Sequence, residues 1–543
     1  MRGEEGILAR RRRELKIQLI HPPVFLNVKA MTALKPSLPL GLAYIAASLR
    51  AAGHELSLVD ALGEAPDQVT PGYRPQISQL GLRPSQIVER LDPQADAFGI
   101  SNTWSFSWPI VREMIQRIKE AYPNKPIVCG GEHFTGLPEF SMEQAPLDFV
   151  VLGEGEEGAV EMFGALGQEG VDYSEIPGIW YRDAAGKPTK SARPRGRVKE
   201  VDGIPWPAWD LFDVNAYDER RLTFGYYYGK TIPIMATRGC PYQCTYCSSP
   251  QMWTTKWYAR NPKDVCDEIE HNVKVHGANN FPFHDLTAIL KKDWILSFCE
   301  ELYSRSFCDQ IRWQLPSGTR VEVIDDEVAG WLRKTNGISM TYSPESGSEE
   351  TRKRVKKRMK EESLIRAVKA AVKNKLTVSA CIVLGFPEDT AKDFKQSVRL
   401  VRKLAWLGIS DVNTGLFFPI PNTALYWQLK KEGRLELNDE FLLTPIFGTE
   451  TTFKEQNNYN YNMSARELTW WRYWIALNFY VISYTIRPWR LVNTIWNIMI
   501  GKETRKIEVY LIDLRRKLKV AWKGLRVRRK MEKDLAATDK VAA

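Results

Sequence analysis

With 543 residues, 44% of them hydrophobic, the chain is too long for one ordinary domain and long enough to bury two or more cores. A formal net charge of +11 points to an anionic partner (nucleic acid, anionic lipid or an acidic substrate) without choosing among them. Eight cysteines, three of them within eight residues, exclude a disulfide scaffold and imply a reducing, cytoplasmic setting.

The basic start, residues 1–14, runs into a charged, strand-like stretch instead of an apolar core with a cleavage site, so no secretory signal is read. From Lys16 to about Leu152, β-like runs (IQLIH, ELSLVD, AFGIS, PIVCGG, FVVLGEG) alternate with helical stretches near 40–52, 84–91 and 109–121. That alternation predicts an α/β domain over 15–200 built on a doubly wound parallel sheet. Ligands of such sheets collect at the carboxyl ends of the strands. The positions selected are Asp60, Ser101, Thr103, Gly130, Gly131, Glu132, Gly153, Glu154, Gly155 and Glu156. The glycines serve equally well as tight strand-to-helix turns. The stretch 158–228 reads as irregular, and its Pro- and Trp-rich IPWPAWDLF suits a linker over 201–230.

From Thr231 the alternation resumes through TIPIMAT, NNFPFHD, IRWQLPSG, ISMTYSPESGS, VSACIVLGFPED and VNTGLFFPIPNT. Six such units predict a partial (β/α)6 barrel over 231–430, with its chemistry at the carboxyl ends of the strands. Cys240, Cys244 and Cys247 follow the first of these strands with Cys-x3-Cys-x2-Cys spacing, so that three thiolates can converge on one cluster from a single loop. Three protein ligands leave one iron of a four-iron cluster open to a small molecule. A zinc site would want a fourth close ligand, and the next cysteine, Cys266, comes nineteen residues after Cys247.

This motif, with the aromatic Tyr246 before its third cysteine, resembles the signature of the radical S-adenosylmethionine (SAM) superfamily. The resemblance implies a four-iron four-sulfur cluster whose open iron binds SAM and whose electron cleaves it to a 5′-deoxyadenosyl radical. It further implies SAM contacts from Ser343, Glu345, Ser346 and Gly347 in YSPESGS, from Gly385 and Pro387 in VLGFP, and from Arg320 after the SGT turn, with FFPIPNT as the sixth strand. Asp285 and Arg320 read equally well as members of buried ion pairs, and His133 and His284 as hydrogen-bonding residues at strand ends.

Joined to the first domain, residues 15 to 430 resemble the cobalamin-dependent radical SAM class, which includes carbon methyltransferases and the anaerobic magnesium-protoporphyrin monomethyl ester cyclase. The resemblance implies cobalamin between the domains, a small-molecule substrate and a reductant protein such as flavodoxin or ferredoxin. The Asp-x-His-x-x-Gly signature of other cobalamin enzymes is missing, and the first loop reads His21-Pro-Pro-Val-Phe. Within this class that absence is usual. Methylation of an unactivated carbon is the expected outcome, with radical cyclisation, oxidation or rearrangement as the alternative. A noncatalytic metal-stabilised protein that docks on membrane or RNA is the reading from a different class.

Residues 431–543 predict a helical, aromatic and basic region. Its uncharged runs, such as Tyr473–Ile486, fall short of the roughly 20 residues a bilayer span needs. Trp- and Tyr-rich helices followed by a basic stretch from Lys502 to Lys533 suit an anchor on an anionic membrane surface, at the inner face, with a lipid or isoprenoid substrate. The same helices suit a lid over the barrel mouth. Nucleic acid is disfavoured, because no RNA-binding signature accompanies the charge.

Overall fold

The computed structural model describes residues 14–27, 35–74, 77–447, 454–512 and 514–515. Residues 1–13 of the N-terminal extension, and the part of the basic stretch beyond residue 515, lie outside the described residues.

Apolar runs buried on both faces make the first sheet. Strands Lys16–His21, Glu55–Asp60, Ala97–Ser101, Ile127–Gly130 and Phe149–Val151 pair in parallel, in the spatial order second, first, third, fourth, fifth. Helices Leu40–Ala51 and Gly155–Leu166 pack together on one face, and Pro84–Val88 with Trp108–Ala121 on the other. This order creates a topological switch point between strands Lys16–His21 and Ala97–Ser101, the place where doubly wound sheets bind ligands at the carboxyl ends. The segment 158–228, expected to be irregular, instead completes the helix Gly155–Leu166. It also adds the antiparallel strands Ile179–Arg182 and Pro188–Lys190 to the sheet edge. The hairpin escapes a pattern search because its strands are short and mostly half-buried.

The second sheet holds strands Asn280–Pro282, Arg312–Thr319, Gly337–Glu345, Thr377–Leu384 and Asp411–Leu416, all parallel and in chain order. Helices Pro262–His276, Lys292–Tyr303, Asp326–Lys334, Glu361–Lys373 and Ala391–Leu407 cover its outside. The sixth position, at the start, is residues 231–234, joined to the sheet through isolated bridges from Thr231 to Asn280 and from Ile234 to Phe283.

The helix Ala465–Ile486 lies along Ala391–Leu407 and the edge strand Asp411–Leu416, burying Leu468, Ile475 and Phe479. Its start is set by a capping box, in which Ser464 and Glu467 satisfy each other's backbone N–H groups. At its far end Arg487 and Arg490 donate to the carbonyls of Ala405, Trp406, Gly408 and Ile409, a cationic cap on the carboxyl end of the neighbouring helix. The chain then reaches the amino end of the edge strand, where buried Asp411 accepts from the N–H of Lys506. Among the described residues no helix is long and apolar enough to cross a membrane.

Candidate functional site

The loop that carries the three cysteines is positioned by buried polar contacts on both sides. Asp285, at the carboxyl end of the barrel's second strand segment, accepts from the Thr237 N–H at 2.5 Å and from its hydroxyl at 2.6 Å. Burial pushes the Asp285 carboxyl up to about 6. Beyond Thr237–Arg238 the chain turns through residues 239–248, where the Cys247 N–H donates to the Cys244 carbonyl at 3.2 Å. The Thr245 N–H donates to the Val355 carbonyl, and the Leu425 N–H donates to the Thr245 carbonyl, so neighbouring segments hold the loop from two directions.

Cys244 is buried, while Cys240 and Cys247 are half-buried. Burial raises the Cys244 thiol, an effect opposed by the Lys357 ammonium, and pushes Cys247 up to about 12. The charge of Cys240 adds to both shifts and that of Cys244 to the Cys247 shift, so the three thiols lie within electrostatic reach of one another. Among the described residues no three His, Cys, Asp or Glu side chains already stand in metal-holding geometry. Protonated thiols gain nothing by converging, whereas a bound cation deprotonates and gathers them. The donor set fits a cluster: three thiols on one loop, with the buried hydroxyls of Thr245 and Ser249 lacking a described partner beside them.

The strand Gly337–Glu345 delivers Glu345 to this loop with φ of 63°. Its carboxylate accepts from the Tyr246 hydroxyl at 2.9 Å and from Lys357 Nζ at 3.1 Å, so Tyr246, Glu345 and Lys357 form a polar bridge next to the cysteines. Ser343 is half-buried on the same strand. The Ser346 carbonyl accepts from Arg352. A Cβ on Gly347 would meet the Gln396 carbonyl oxygen at 2.4 Å, so this glycine permits close approach to the helix Ala391–Leu407. The Arg320 guanidinium stacks on Tyr242 of the cysteine loop, 3.7 Å from the ring centroid, and bonds Glu322 and the Arg358 carbonyl. Gly385 and Pro387 line the turn after Thr377–Leu384. That turn is covered by the tail: Leu468 packs against Gly385, the Tyr461 N–H donates to the Pro387 carbonyl at 2.7 Å, and Asn460 Nδ2 donates to the Phe386 and Asp389 carbonyls. His284 is held neutral by burial, its pKa lowered to about 4, with its ring against Phe224.

At the carboxyl ends of the first sheet, Ser101 is half-buried and Thr103 exposed. Gly130 leads into Gly131, whose φ of 105° lets its backbone come within van der Waals reach of Asn102; a Cβ there would meet the Asn102 carbonyl oxygen at 2.6 Å. Buried Asn102 Nδ2 has no described partner. Burial raises the Glu132 carboxyl, and His133, stacked on Trp108, is lowered to about 3 and thus neutral. Burial also pushes up the Asp60 carboxyl, but His21 at 2.8 Å, Gly63 and Tyr217 outweigh it and hold the group below the usual carboxylate range. The glycine turn and the orphaned amide at the switch point fit a large polar cofactor there.

Gly153 and Gly155 flank a different feature. Glu154 accepts from Arg197 Nε at 2.6 Å, and Arg238, two residues before Cys240, reaches Glu156 at 2.6 Å and Glu154 at 3.4 Å. All four side chains are at least nine-tenths buried. The carboxylates expected to face a cofactor are therefore taken up in a clamp that ties the carboxyl end of one sheet to the cysteine loop of the other. Sequence reasoning also passed over Lys357, Tyr242 and Asn460; the basic run 352–360 and the Asn-rich 457–462 were the available signals.

Family models match two parts of the chain, the B12 binding domain over residues 30–163 and the radical SAM superfamily over residues 234–401. Fold and site together define a radical SAM enzyme. An uncharacterized methyltransferase of Pyrococcus horikoshii is 28% identical over 76% of this chain and 82% of its own length. The anaerobic magnesium-protoporphyrin IX monomethyl ester cyclase of Cereibacter sphaeroides is 27% identical over 60% of this chain and 51% of its own. The solved structure of the radical SAM methyltransferase TsrM from Kitasatospora setae, with cobalamin and a four-iron cluster bound, shares the fold. Its TM-score is 0.60 at 17% identity, over 77% of this chain and 78% of that one. The chain belongs to the cobalamin-dependent radical SAM enzymes, methyltransferases and cyclases that act on small molecules and need a reductant. Its cofactors are accordingly a four-iron four-sulfur cluster, SAM and cobalamin.

Proposed function

We propose that this enzyme methylates an unactivated carbon of an apolar, membrane-associated small molecule such as a lipid or isoprenoid. The observation that carries the two-cofactor reading is the buried clamp of Arg238 with Glu154 and Glu156, which binds the carboxyl ends of the cobalamin-type sheet to the cysteine loop, and the likeness to the Pyrococcus horikoshii methyltransferase favours methylation as the outcome. Carboxyl strand ends of one sheet tied to the cysteine loop of the other suit a reaction that draws on two cofactors. When bound, the cluster and SAM supply a hydrogen-abstracting radical and cobalamin supplies the methyl group. Cys240, Cys244 and Cys247 hold the cluster. Residues Ser343 to Gly347 and Gly385 to Pro387 seat SAM, with Arg320 and Tyr246 bracing the loop beneath it. Asn102, Gly130 and Gly131 line the cobalamin site.

The apolar substrate reading rests on the tail. Along Ala465–Ile486 and Trp489–Ile500, Trp470, Leu477, Val492, Trp496 and Met499 are each more than half exposed. Large apolar side chains exposed in this number suit a membrane or protein contact. The sequence after it, residues 516–533, holds nine basic residues and one acidic residue, a charge that favours anionic lipid at the inner membrane face.

The test is anaerobic reconstitution with iron, sulfide and hydroxocobalamin, then SAM, reductant and membrane extract, with Cys244→Ala as the control. Wild type is expected to form both 5′-deoxyadenosine and S-adenosylhomocysteine, and Cys244→Ala neither. Formation of 5′-deoxyadenosine alone, in the presence of a converted substrate, would replace methylation by a cyclisation, oxidation or rearrangement, the reading favoured by the likeness to the porphyrin cyclase.

A further inference from the structure

Three flanks of the cysteine loop are covered. The first domain clamps Arg238, Met252 of the short helix after the cysteines approaches Gly153, and Leu425 bonds the Thr245 carbonyl. The fourth flank is the turn after the helix Glu349–Arg354. There the Val355 carbonyl accepts from Thr245, and the Lys356 carbonyl lies 3.8 Å from Cys244 Sγ. Lys356 adopts φ of 53°, which turns this carbonyl inward while its side chain stays exposed. Lys353, Arg358 and Lys360 are exposed beside it. Among the described residues Lys353 pairs with Glu349, in an exposed contact of negligible strength. Lys357, between them, points inward to Glu345.

On this flank the surface is thus a cationic turn, separated from Cys244 by the backbone that carries the Lys356 carbonyl. We propose that this turn, Lys353 to Lys360, is the docking surface for an acidic one-electron carrier protein of the flavodoxin or ferredoxin type. The inference rests on the radical SAM reading above. Electron transfer weakens steeply with distance, so a donor must come close to the loop, and on this flank Cys244 lies directly beneath the turn's backbone. Clustered positive charge there steers a negatively charged carrier and orients it through rim contacts, chiefly raising its association rate. The transfer oxidises the carrier by one electron and reduces the cluster by one, with no bond formed or broken. Lys357 is a positioning residue at the same turn, since it braces Glu345 and hence Tyr246 between Cys244 and Cys247.

The test uses the reconstituted full chain and an acidic flavodoxin as the probe. Binding is measured by titration calorimetry at low and high ionic strength, beside 5′-deoxyadenosine formation driven by reduced flavodoxin or by dithionite. The triple variant Lys353→Glu, Arg358→Glu, Lys360→Glu should weaken flavodoxin binding on the order of tenfold or more at low salt, with the difference shrinking as salt screens the charges. Its dithionite-driven activity should match wild type, which also reports that it folds. Reversing exposed Lys395 and Arg399 on the barrel's outer helix should leave binding unchanged. Unaltered flavodoxin binding by the triple variant overturns the proposal, as does equal weakening by the outer-helix variant. Should the triple variant fail to fold, the corresponding triple alanine variant gives the same comparison with a smaller expected loss. Failure of wild type to cleave SAM with dithionite would count against the enzyme reading instead.

Discussion

Replacing Arg238 by methionine tests whether the two domains act through one buried electrostatic clamp. The substitution keeps the length of the side chain and removes its charge. Glu156, with a side chain 10% exposed, then loses the guanidinium 2.6 Å away, while Glu154 keeps Arg197 at 2.6 Å and the Val198 N–H at 2.9 Å. Leaving a buried ion without its partner costs about 3–5 kcal/mol. Because only one of the two carboxylates is left uncompensated, the lower end applies, about 3 kcal/mol. For a large chain this corresponds to a drop in Tm on the order of 5 °C. Scanning calorimetry or tryptophan fluorescence reads the shift. The double variant Arg238→Met, Glu156→Gln removes the orphaned charge and should recover about 1–2 kcal/mol. Activity supplies a second readout: 5′-deoxyadenosine formation should persist, while methylated product per 5′-deoxyadenosine falls, because the clamp sets the spacing of the two cofactor sites. A Tm within 1 °C of wild type, or a double variant no better than the single one, refutes the reasoning.

Burial raises the Asp285 carboxyl from 3.8 to about 6, so the folded chain holds a proton that the unfolded chain has released. This contribution is fully present below about pH 4 and is lost as pH rises through 6, a decline of about 3 kcal/mol by the linkage relation. Denaturation at pH 4.5 and 7 should show this slope in wild type and not in Asp285→Asn. Asn460→Ala removes bonds of 2.6 and 3.0 Å to the Phe386 and Asp389 carbonyls, which keep the Asp389 N–H and Asn462 Nδ2 as donors, so the cost is about 1 kcal/mol. Steady-state kinetics should report a raised KM for SAM with a smaller change in kcat. Val492→Glu with Trp496→Glu puts charge on the exposed apolar stripe and should abolish cosedimentation with vesicles containing anionic phospholipid, without lowering Tm, since both side chains are more than half exposed. Unchanged cosedimentation would remove the membrane from the account.

Chemistry that depends on local spacing was legible in the chain itself. Cys240, Cys244 and Cys247 lie within eight residues, so one loop must carry them whatever surrounds it. The alternation of apolar runs with amphipathic stretches likewise dictated two α/β layers, because parallel strands buried on both faces leave a strong periodic trace. What tertiary structure alone decided are the partnerships of charged and polar groups distant in sequence. Glu154 and Glu156 resembled cofactor contacts because strand ends usually serve that purpose. Only folding reveals that Arg238, more than eighty residues away, claims them. Lys357 and Asn460 were silent for the same reason, since a lysine in a basic run and an asparagine in a loop acquire meaning from the Glu345 carboxylate and the Phe386 carbonyl that the fold brings to them. The tail shows the same division: its aromatic content is compositional, but which face is buried against Ala391–Leu407 and which meets solvent follows from packing that no local pattern encodes.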